Sequence, residues 1–551
     1  VQVLVDGFYK MTVNGRISAI GTETDPIHFN SYDTTGAYLL SPAGRWKGIF
    51  IDQDDIDSSF FTWCDISHCH VDSTEEFTGG SSGIGEYRGA LTTFLCSKIR
   101  ISHCTLDSNS CNLNGEDVNP PGAILLMEFS SPIIDHSTIE NNVGLSGISM
   151  VGYCSPKISN NEIRQNVSGN AAGAGLSMNF FCNPTVQGNL ITQNETYASQ
   201  GGGVHILGYC YPRVYGNVIT YNTAVGTGGG IHLNSTSADI VGNLITNNRT
   251  LDSVNCGTSA VGGGGISGSF CHGSLDPSLA QGRIHNNIIV NNSCEHRGAG
   301  IILKRSQFIV SNNLISNNQS LVSGGGGQFI DDSSTFINNI FFGNTVLSGA
   351  GYSVGISGYV ADETLFMNNL FEDTLSGHIS FSSTVFPPYF TSVNNIVGDP
   401  MMIAPSSGPG YTYDGSVADW HCLISSPVVD AGVPDTTGFL IADYDYDGSD
   451  RVQGVVDIGP YETGSLVGVE PTFRTKLKIY PNPANEDLFI QGLEVGGLIH
   501  VCKISGELIE QLRITDSLLS IDLSAYESGI YFITVNREKE NSHQNAYFVK
   551  I

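Results

Sequence analysis

Along most of this chain the apolar residues come in short runs that return with a fixed rhythm. A Gly-rich stretch leads into a short apolar strand, and the strand into Asn-hydrophobic-hydrophobic-x-x-Asn, about every 26 residues. The first Asn of the unit is Asn161, Asn189, Asn217, Asn243, Asn287, Asn313, Asn339, Asn369 and Asn395. Five residues after most of them stands a second, at Asn166, Asn194, Asn222, Asn248, Asn292, Asn318 and Asn344. The Gly-rich text is also copied: Gly-Gly-Gly-Val-His-Ile at 201–206, Gly-Gly-Gly-Ile-His-Leu at 228–233, Gly-Ala-Gly-Ile-Ile-Leu at 298–303. A period in this range means stacked units, none of which buries its apolar face alone. The units are too short, and too rich in Gly, Asn and β-branched residues, to be helix pairs. One turn of a parallel β-coil per unit fits.

In such a coil, equivalent residues of successive turns lie about 4.8 Å apart. An Asn at a fixed corner then bonds its amide to the Asn of the next turn and to local backbone, forming a ladder. The gaps between first-Asn positions run 28, 28, 26, 44, 26, 26, 30 and 26, so the 44 marks an insertion within 250–283. Before residue 160 the rhythm is looser. There Ile66-Ser67-His68-Cys69 and Ile101-Ser102-His103-Cys104 read as copies, and His136-Ser137-Thr138-Ile139 with Asn141-Asn142 as a third member of the register. On these pieces residues 10–400 resemble the right-handed parallel β-helix (pectin-lyase-like) superfamily, and also bacterial surface repeat proteins. The fold implied is all-β, with a β-helix over 1–398. The resemblance leaves function open, because lyases, hydrolases, epimerases and adhesins share this solenoid.

The rhythm fades after Asn395-Ile396-Val397-Gly398. Residues 399–462, with Ser-Pro-Val-Val-Asp-Ala-Gly at 426–432 and Asp-Ile-Gly-Pro-Tyr-Glu at 457–462, resemble the closing segment of secreted bacterial β-helix proteins. A solenoid needs a cap over the open end of its core, and this segment is expected to supply it. Within it Asp443, Asp445, Asp447 and Asp450 surround Gly448, a pattern suited to a structural Ca²⁺. An EF-hand would carry Glu where Gly454 stands, and the alternative is an acidic turn paired with Arg451 and backbone amides. Residues 463–476 read as a linker, and 477–551 alternate with period 2 as a small β-sandwich. Tyr480-Pro-Asn-Pro, Gly529-Ile-Tyr and the terminal Lys550-Ile551 resemble the C-terminal sorting domain of the Bacteroidetes type IX secretion system. That resemblance implies export across the outer membrane, with the secretion machinery as partner of residues 477–551.

Net charge is −29, with 24 Lys and Arg. Such a surface argues against nucleic acid, anionic membranes and unaided binding of acidic polysaccharides. No run approaches the ~18–20 apolar residues of a membrane span. No signal peptide is visible, and the strand-like Val-Gln-Val-Leu-Val start reads as truncated or processed. Thirteen Cys cannot all pair. Cys154, Cys182 and Cys210 recur every 28 residues and form a column, best read as thiols packed as small hydrophobes. Cys256 and Cys271, inside the insertion, are the expected disulfide. No Cys-x-x-Cys occurs, which argues against zinc.

Three clusters are candidates for chemistry. Alternation from Val204 and Ile206 turns His205 outward, with His232 one coil on, and exposed stacked His can bind metal or move protons. Phe129, Tyr153, Phe181 and Tyr209 each stand three residues before a Pro, outward by alternation. Their faces would then make a strip for sugar rings; a bend before the Pro would instead turn them into the core. Lys304-Arg305 and Asp331-Asp332 in the next coil are the ingredients of a uronate lyase, carboxylates for Ca²⁺ and a base for the α-proton, or else an inter-coil salt bridge. The polygalacturonase motifs are absent or out of order. Two readings follow: a secreted or cell-surface β-helix binding a polysaccharide or surface glycan without catalysis, or a polysaccharide lyase or glycoside hydrolase working on the exposed sheet.

Overall fold

The computed structural model describes residues 1–32, 45–52, 58–71, 76–80, 83–86, 89–111, 121–169, 172–197, 199–251, 262–271, 281–348, 353–357, 364–372, 379–381, 390–433, 441–451, 454–463, 478–480, 484, 487–491, 493, 496–503, 508–526, 529–536 and 543–550. These residues form two compact units, 1–465 and 466–551.

The first unit is a parallel β-helix. One coil shows how it is built: Val204–Leu207, Arg213–Tyr215, Val218–Thr220 and Thr223–Ala224 each pair in parallel with the equivalent strand of the next coil. Stacking generates sheets of 13, 13, 14 and 7 strands. Inward side chains meet their own kind. Ile163, Ile191, Ile219, Ile245, Ile289 and Ile315 pair in one line, continued by Phe341 and Phe371, all essentially buried.

Polar corners hold this apolar stack in register. Asn243 donates through Nδ2 to Asn287 Oδ1 (3.0 Å) and to the Val214 carbonyl (2.9 Å). Its Oδ1 accepts from both the backbone N and the Nδ2 of Asn217, each at 3.0 Å. The same bonds repeat from Asn161 to Asn395, and at the next corner from Asn109 to Asn344. Directly before each ladder Asn is a residue with positive φ, Gly242 (59°) or Asn286 (55°) for example. This left-handed residue turns the chain so that the next side chain points inward. Upstream, smaller groups take the ladder's place: Cys104 N donates to Ser137 Oγ (3.0 Å), and Ser137 N to Asn161 Oδ1 (2.9 Å).

The apparent copies at 66–69 and 101–104 are not in register. Ile66 pairs with Leu106, and Ile101 with Phe61. Cys69 belongs to the second ladder, against Asn109, and Cys104 to the first. Both corners use one local motif, so sequence likeness alone could not separate them. The Cys256–Cys271 pairing falls partly outside the described residues; Cys271 is a buried free thiol.

The described residues of 399–463 run along a flank of the coil. Trp420, Cys422, Val428 and Ile458 cover Ile288, Val290, Leu314, Ile340 and Leu370, the outward residues of the 14-stranded sheet. Left-handed Asn residues anchor the strap: Asn247 donates to the Tyr411 and Tyr413 carbonyls (both 2.8 Å), Asn291 to that of Gly408 (2.8 Å) and Asn368 to that of Ala431 (3.1 Å). Arg451 is fully buried, paired with Glu462 at 2.9 Å and bonded to the Gly459 and Pro460 carbonyls.

The second unit has antiparallel sheets of three and four strands on one core, including Leu488, Ile490, Ile499, Val501, Tyr531 and Ile533. Among the described residues no helix is long and apolar enough to cross a membrane.

Replacing Asn243 by Ala removes four buried bonds and is expected to cost about 3 kcal/mol. Asn141→Ala, at the exposed left-handed residue before ladder Asn142, loses a surface bond to Asp107 and a residue type that tolerates positive φ, and should cost less, about 1 kcal/mol. Urea midpoints compare the two.

Candidate functional site

The aromatic column lies outside the coil. At this corner two successive residues have positive φ, as in Gly208 (70°) and Tyr209 (59°), and the next residue, Cys210, turns inward. Cys154, Cys182 and Cys210 are fully buried free thiols. Burial holds the thiols of Cys154 and Cys210 well above the ordinary range. Phe129, Tyr153, Phe181 and Tyr209 remain 53, 45, 37 and 38% exposed. Their rings form a stack with centroids 5.0, 4.8 and 5.4 Å apart and planes within 10° of parallel. The stack alters what the column offers. Inner ring faces are taken by neighbouring rings, so the ridge presents ring edges, and a free face exists only at an end. Trp63, His103 and His136 form a second outward stack, at 4.5 and 5.1 Å.

The two histidines are not on the surface. His205 and His232 do point away from Val204 and Ile206, yet they are 3 and 2% exposed. The Gly-Gly-Gly segment of each coil folds over this face of the sheet. A Cβ on Gly201 would lie 2.8 Å from that of His205, and one on Gly228 2.7 Å from that of His232. Only glycine permits that approach, with φ of 70° and 69°. The imidazoles stack at 5.3 Å, and His232 Nδ1 meets Thr227 Oγ1 at 2.9 Å. Desolvation lowers the pKa of His205 to about 4 and that of His232 well below its usual range. Both are neutral packing groups at ordinary pH.

The lyase ingredients do not converge. Arg305 Nε lies 3.5 Å from Asp331 Oδ2, an inter-coil ion pair, and its guanidinium sits 5.6 Å from the Phe270 ring centroid. Asp332 turns inward and accepts from Ser334 Oγ (3.1 Å) and Ser334 N (3.3 Å). The adjacent carboxylates thus lie on opposite sides of the corner. Lys304 pairs in strand register with Ile330 rather than with either aspartate.

The four aspartates of the acidic turn are also held apart. Asp445 is buried and accepts from the backbone N of Ser449 (2.7 Å) and of Glu462 (2.9 Å). Asp447 takes Nε2 of His421 at 2.9 Å, while Asp419 holds its Nδ1 at 2.7 Å. These bonds, that of Asp447 foremost, raise the His421 pKa. Asp443 and Asp450 are exposed, and Arg451 N donates to the Asp443 carbonyl. Among the described residues no group of three or more His, Cys, Asp or Glu is placed to hold a metal.

Sequence reasoning missed one cluster. On adjacent strands Arg213, Asp239 and Arg283 are in register, and Asp239 is held by Arg283 (2.7 Å), His285 (3.1 Å) and Arg213 (3.7 Å). The 44-residue gap hid that register.

Residues 44–219 match the family described as right handed beta helix region, and residues 478–549 the secretion system C-terminal sorting domain. The chain is a secreted right-handed β-helix protein. Its sorting domain directs export by the type IX system to the cell surface or extracellular space, which implies contact with that machinery. No curated protein matches the chain. Among solved structures it is similar to PorZ, a bacterial surface component of the type-IX secretion system of Porphyromonas gingivalis. The identity is 20% over 14% of this chain and 11% of that one, with a TM-score of 0.13. The match thus spans about a tenth of PorZ.

Because the folded pKa of His205 is depressed, its contribution to stability is present above pH 6.5 and lost as pH falls toward 4, by about 3 kcal/mol. A His205→Ser/His232→Ser variant of this secreted β-helix protein, matching Ser177 and Ser267 of the same column, should flatten the acid limb of melting temperature against pH. Deleting residues 477–551, which carry nearly all of the separate unit and its own core, should leave the β-helix folded but retained in the periplasm of a type IX-competent host. Fractionation with immunoblotting reads this directly.

Proposed function

We propose that this exported β-helix is a non-catalytic binder of polysaccharide or surface glycan, using the aromatic ridge of Phe129, Tyr153, Phe181 and Tyr209. One observation carries the reading: four rings in four consecutive coils stay more than a third exposed and stack face to face into one continuous ridge. A contiguous exposed aromatic patch is the usual mark of a binding surface. Mutual stacking makes the ridge rigid, so binding need not order it, and ring edges with phenol hydroxyls suit the mixed C–H and O–H surface of a sugar. The alternative, a lyase or hydrolase, has less support, since its candidate residues are engaged with each other or covered by backbone.

The test uses the full chain on a panel of immobilised polysaccharides, read for retention and for unsaturated or reducing-end products. Tyr153→Ala with Phe181→Ala should reduce retention about tenfold or more while costing roughly 1–3 kcal/mol of stability from lost ring stacking. Product formation from any member of the panel would replace this reading with the enzymatic one.

A further inference from the structure

Inside the corner that carries the aromatic ridge, thiol meets thiol. Cys154, Cys182 and Cys210 hold one position in three successive coils, and the pairs before them, Gly152-Tyr153, Phe180-Phe181 and Gly208-Tyr209, share a left-handed path with φ between 54° and 77°. Each thiol donates to the carbonyl three residues earlier, that of Val151 (3.4 Å), Asn179 (3.1 Å) or Leu207 (3.2 Å). Those three residues pair in strand register. The sulfurs therefore leave the chain in the same direction, one above the next. Their Cα atoms are one strand spacing apart, about 4.8 Å, inside the range of roughly 4.4–6.8 Å that a disulfide spans. Cys182 N donates to Cys210 Sγ at 3.3 Å, and the Cys182 thiol interacts directly with those of both neighbours.

Elsewhere at this corner a cysteine meets a hydroxyl: Cys96 N donates to Ser130 Oγ (3.2 Å) and Cys271 N to Ser306 Oγ (3.3 Å). Cys64 and Cys104 also stack, at a different corner, but as a pair. The sorting domain sends the chain out across the outer membrane, a route through the periplasm, where disulfides form and persist. A column of thiols at disulfide spacing does not pass through such a compartment unchanged.

We propose that Cys182 forms a disulfide with Cys154 or with Cys210 during export, stapling two successive coils, and that the third thiol stands in line to exchange with it. The oxidant is a disulfide of the thiol-oxidase class. One cysteine thiolate attacks it to give a mixed disulfide, and the neighbouring thiolate displaces it. The S–S bond of the oxidant breaks, that of the chain forms, and two electrons and two protons leave with the oxidant as its dithiol. All three cysteines are fully buried, so the bond forms while the coils are still assembling, and the finished fold shields it from reductants. A thiolate attacks a disulfide along the axis of the S–S bond, and a straight column puts the third sulfur on that axis. The bond can therefore migrate between the two steps of the column, with Cys182 in both forms.

The experiment expresses the full chain in a type IX-competent host, recovers the exported protein, denatures it in an alkylating agent and maps its cysteines by peptide mass. The expected result is one cross-link within the column, always containing Cys182, with the third cysteine alkylated. Cys154→Ser and Cys210→Ser should each keep a cross-link through Cys182. Cys182→Ser should keep none, because Cys154 and Cys210 lie two strand spacings apart, roughly 9–10 Å, beyond the reach of a disulfide. Serine fits this position, since Ser130 and Ser306 hold it in other coils with Oγ accepting from a backbone N. Exported wild type should melt higher than exported Cys182→Ser, and the difference should vanish when both are made in a reducing cytoplasm. Alkylation of all three column cysteines in the exported wild type overturns the proposal, and so does a cross-link confined to Cys64 and Cys104. A Cys154–Cys210 bond in Cys182→Ser overturns the in-line column. Should a variant fail to be exported, the map of the wild type decides alone.

Discussion

An inward amide at a corner needs a hydrogen-bonding partner one strand spacing away in the next coil, in most coils another Asn amide. That constraint organises this molecule. Strands of three or four residues carry too few backbone bonds to define register by themselves, and an aliphatic line such as Ile191–Ile219–Ile245 tolerates sliding. The Asn ladders do not. Moving one coil by a residue would turn its buried amide outward and leave carbonyls such as that of Val214 unpaired. The left-handed residue before each ladder Asn makes the inward turn possible, and so belongs to the same device.

Where the left-handed residue is not glycine its side chain must point out. The corners that lock the coil therefore write the surface in columns at about 5 Å spacing. One corner holds Phe129, Tyr153, Phe181 and Tyr209, then Ser235, Phe270, Arg305 and Asp331. Another holds Asn286, Asn312, Asn338 and Asn368, which receive the strap. Asn suits that role because it tolerates positive φ and offers an outward amide to a passing backbone. Scaffold and exposed surface thus share one geometric rule.

The Gly-rich turns act oppositely. By lying against the outer face of a sheet they remove from solvent a column that alternation alone would expose, including Ser149, Ser177, His205, His232 and Ser267. Groups there must be small or remain neutral, which is why the imidazoles in this column pack in their uncharged form.

Much of this was legible in the chain itself. The repeat spacing was enough for the coil, the ladders and the inward thiols, because period and alternation are local properties of sequence, and the sorting unit was legible through the resemblance of its motifs to a known domain. Tertiary structure decided the rest. The Ile-Ser-His-Cys copies fell at different corners because one motif serves both. The strap was expected at the end of the coil and lies along its flank, where Ile288 and Val290 and the left-handed asparagines await a cover that their own coils do not contain. His205 was assigned to the correct side of its strand but not to its environment, since burial there comes from a neighbouring turn. Alternation left the aromatic column either outside or bent into the core; it lies outside, with its ring faces spent on one another. Sequence determines which way a side chain leaves the coil; only the packed structure determines what is already there to meet it.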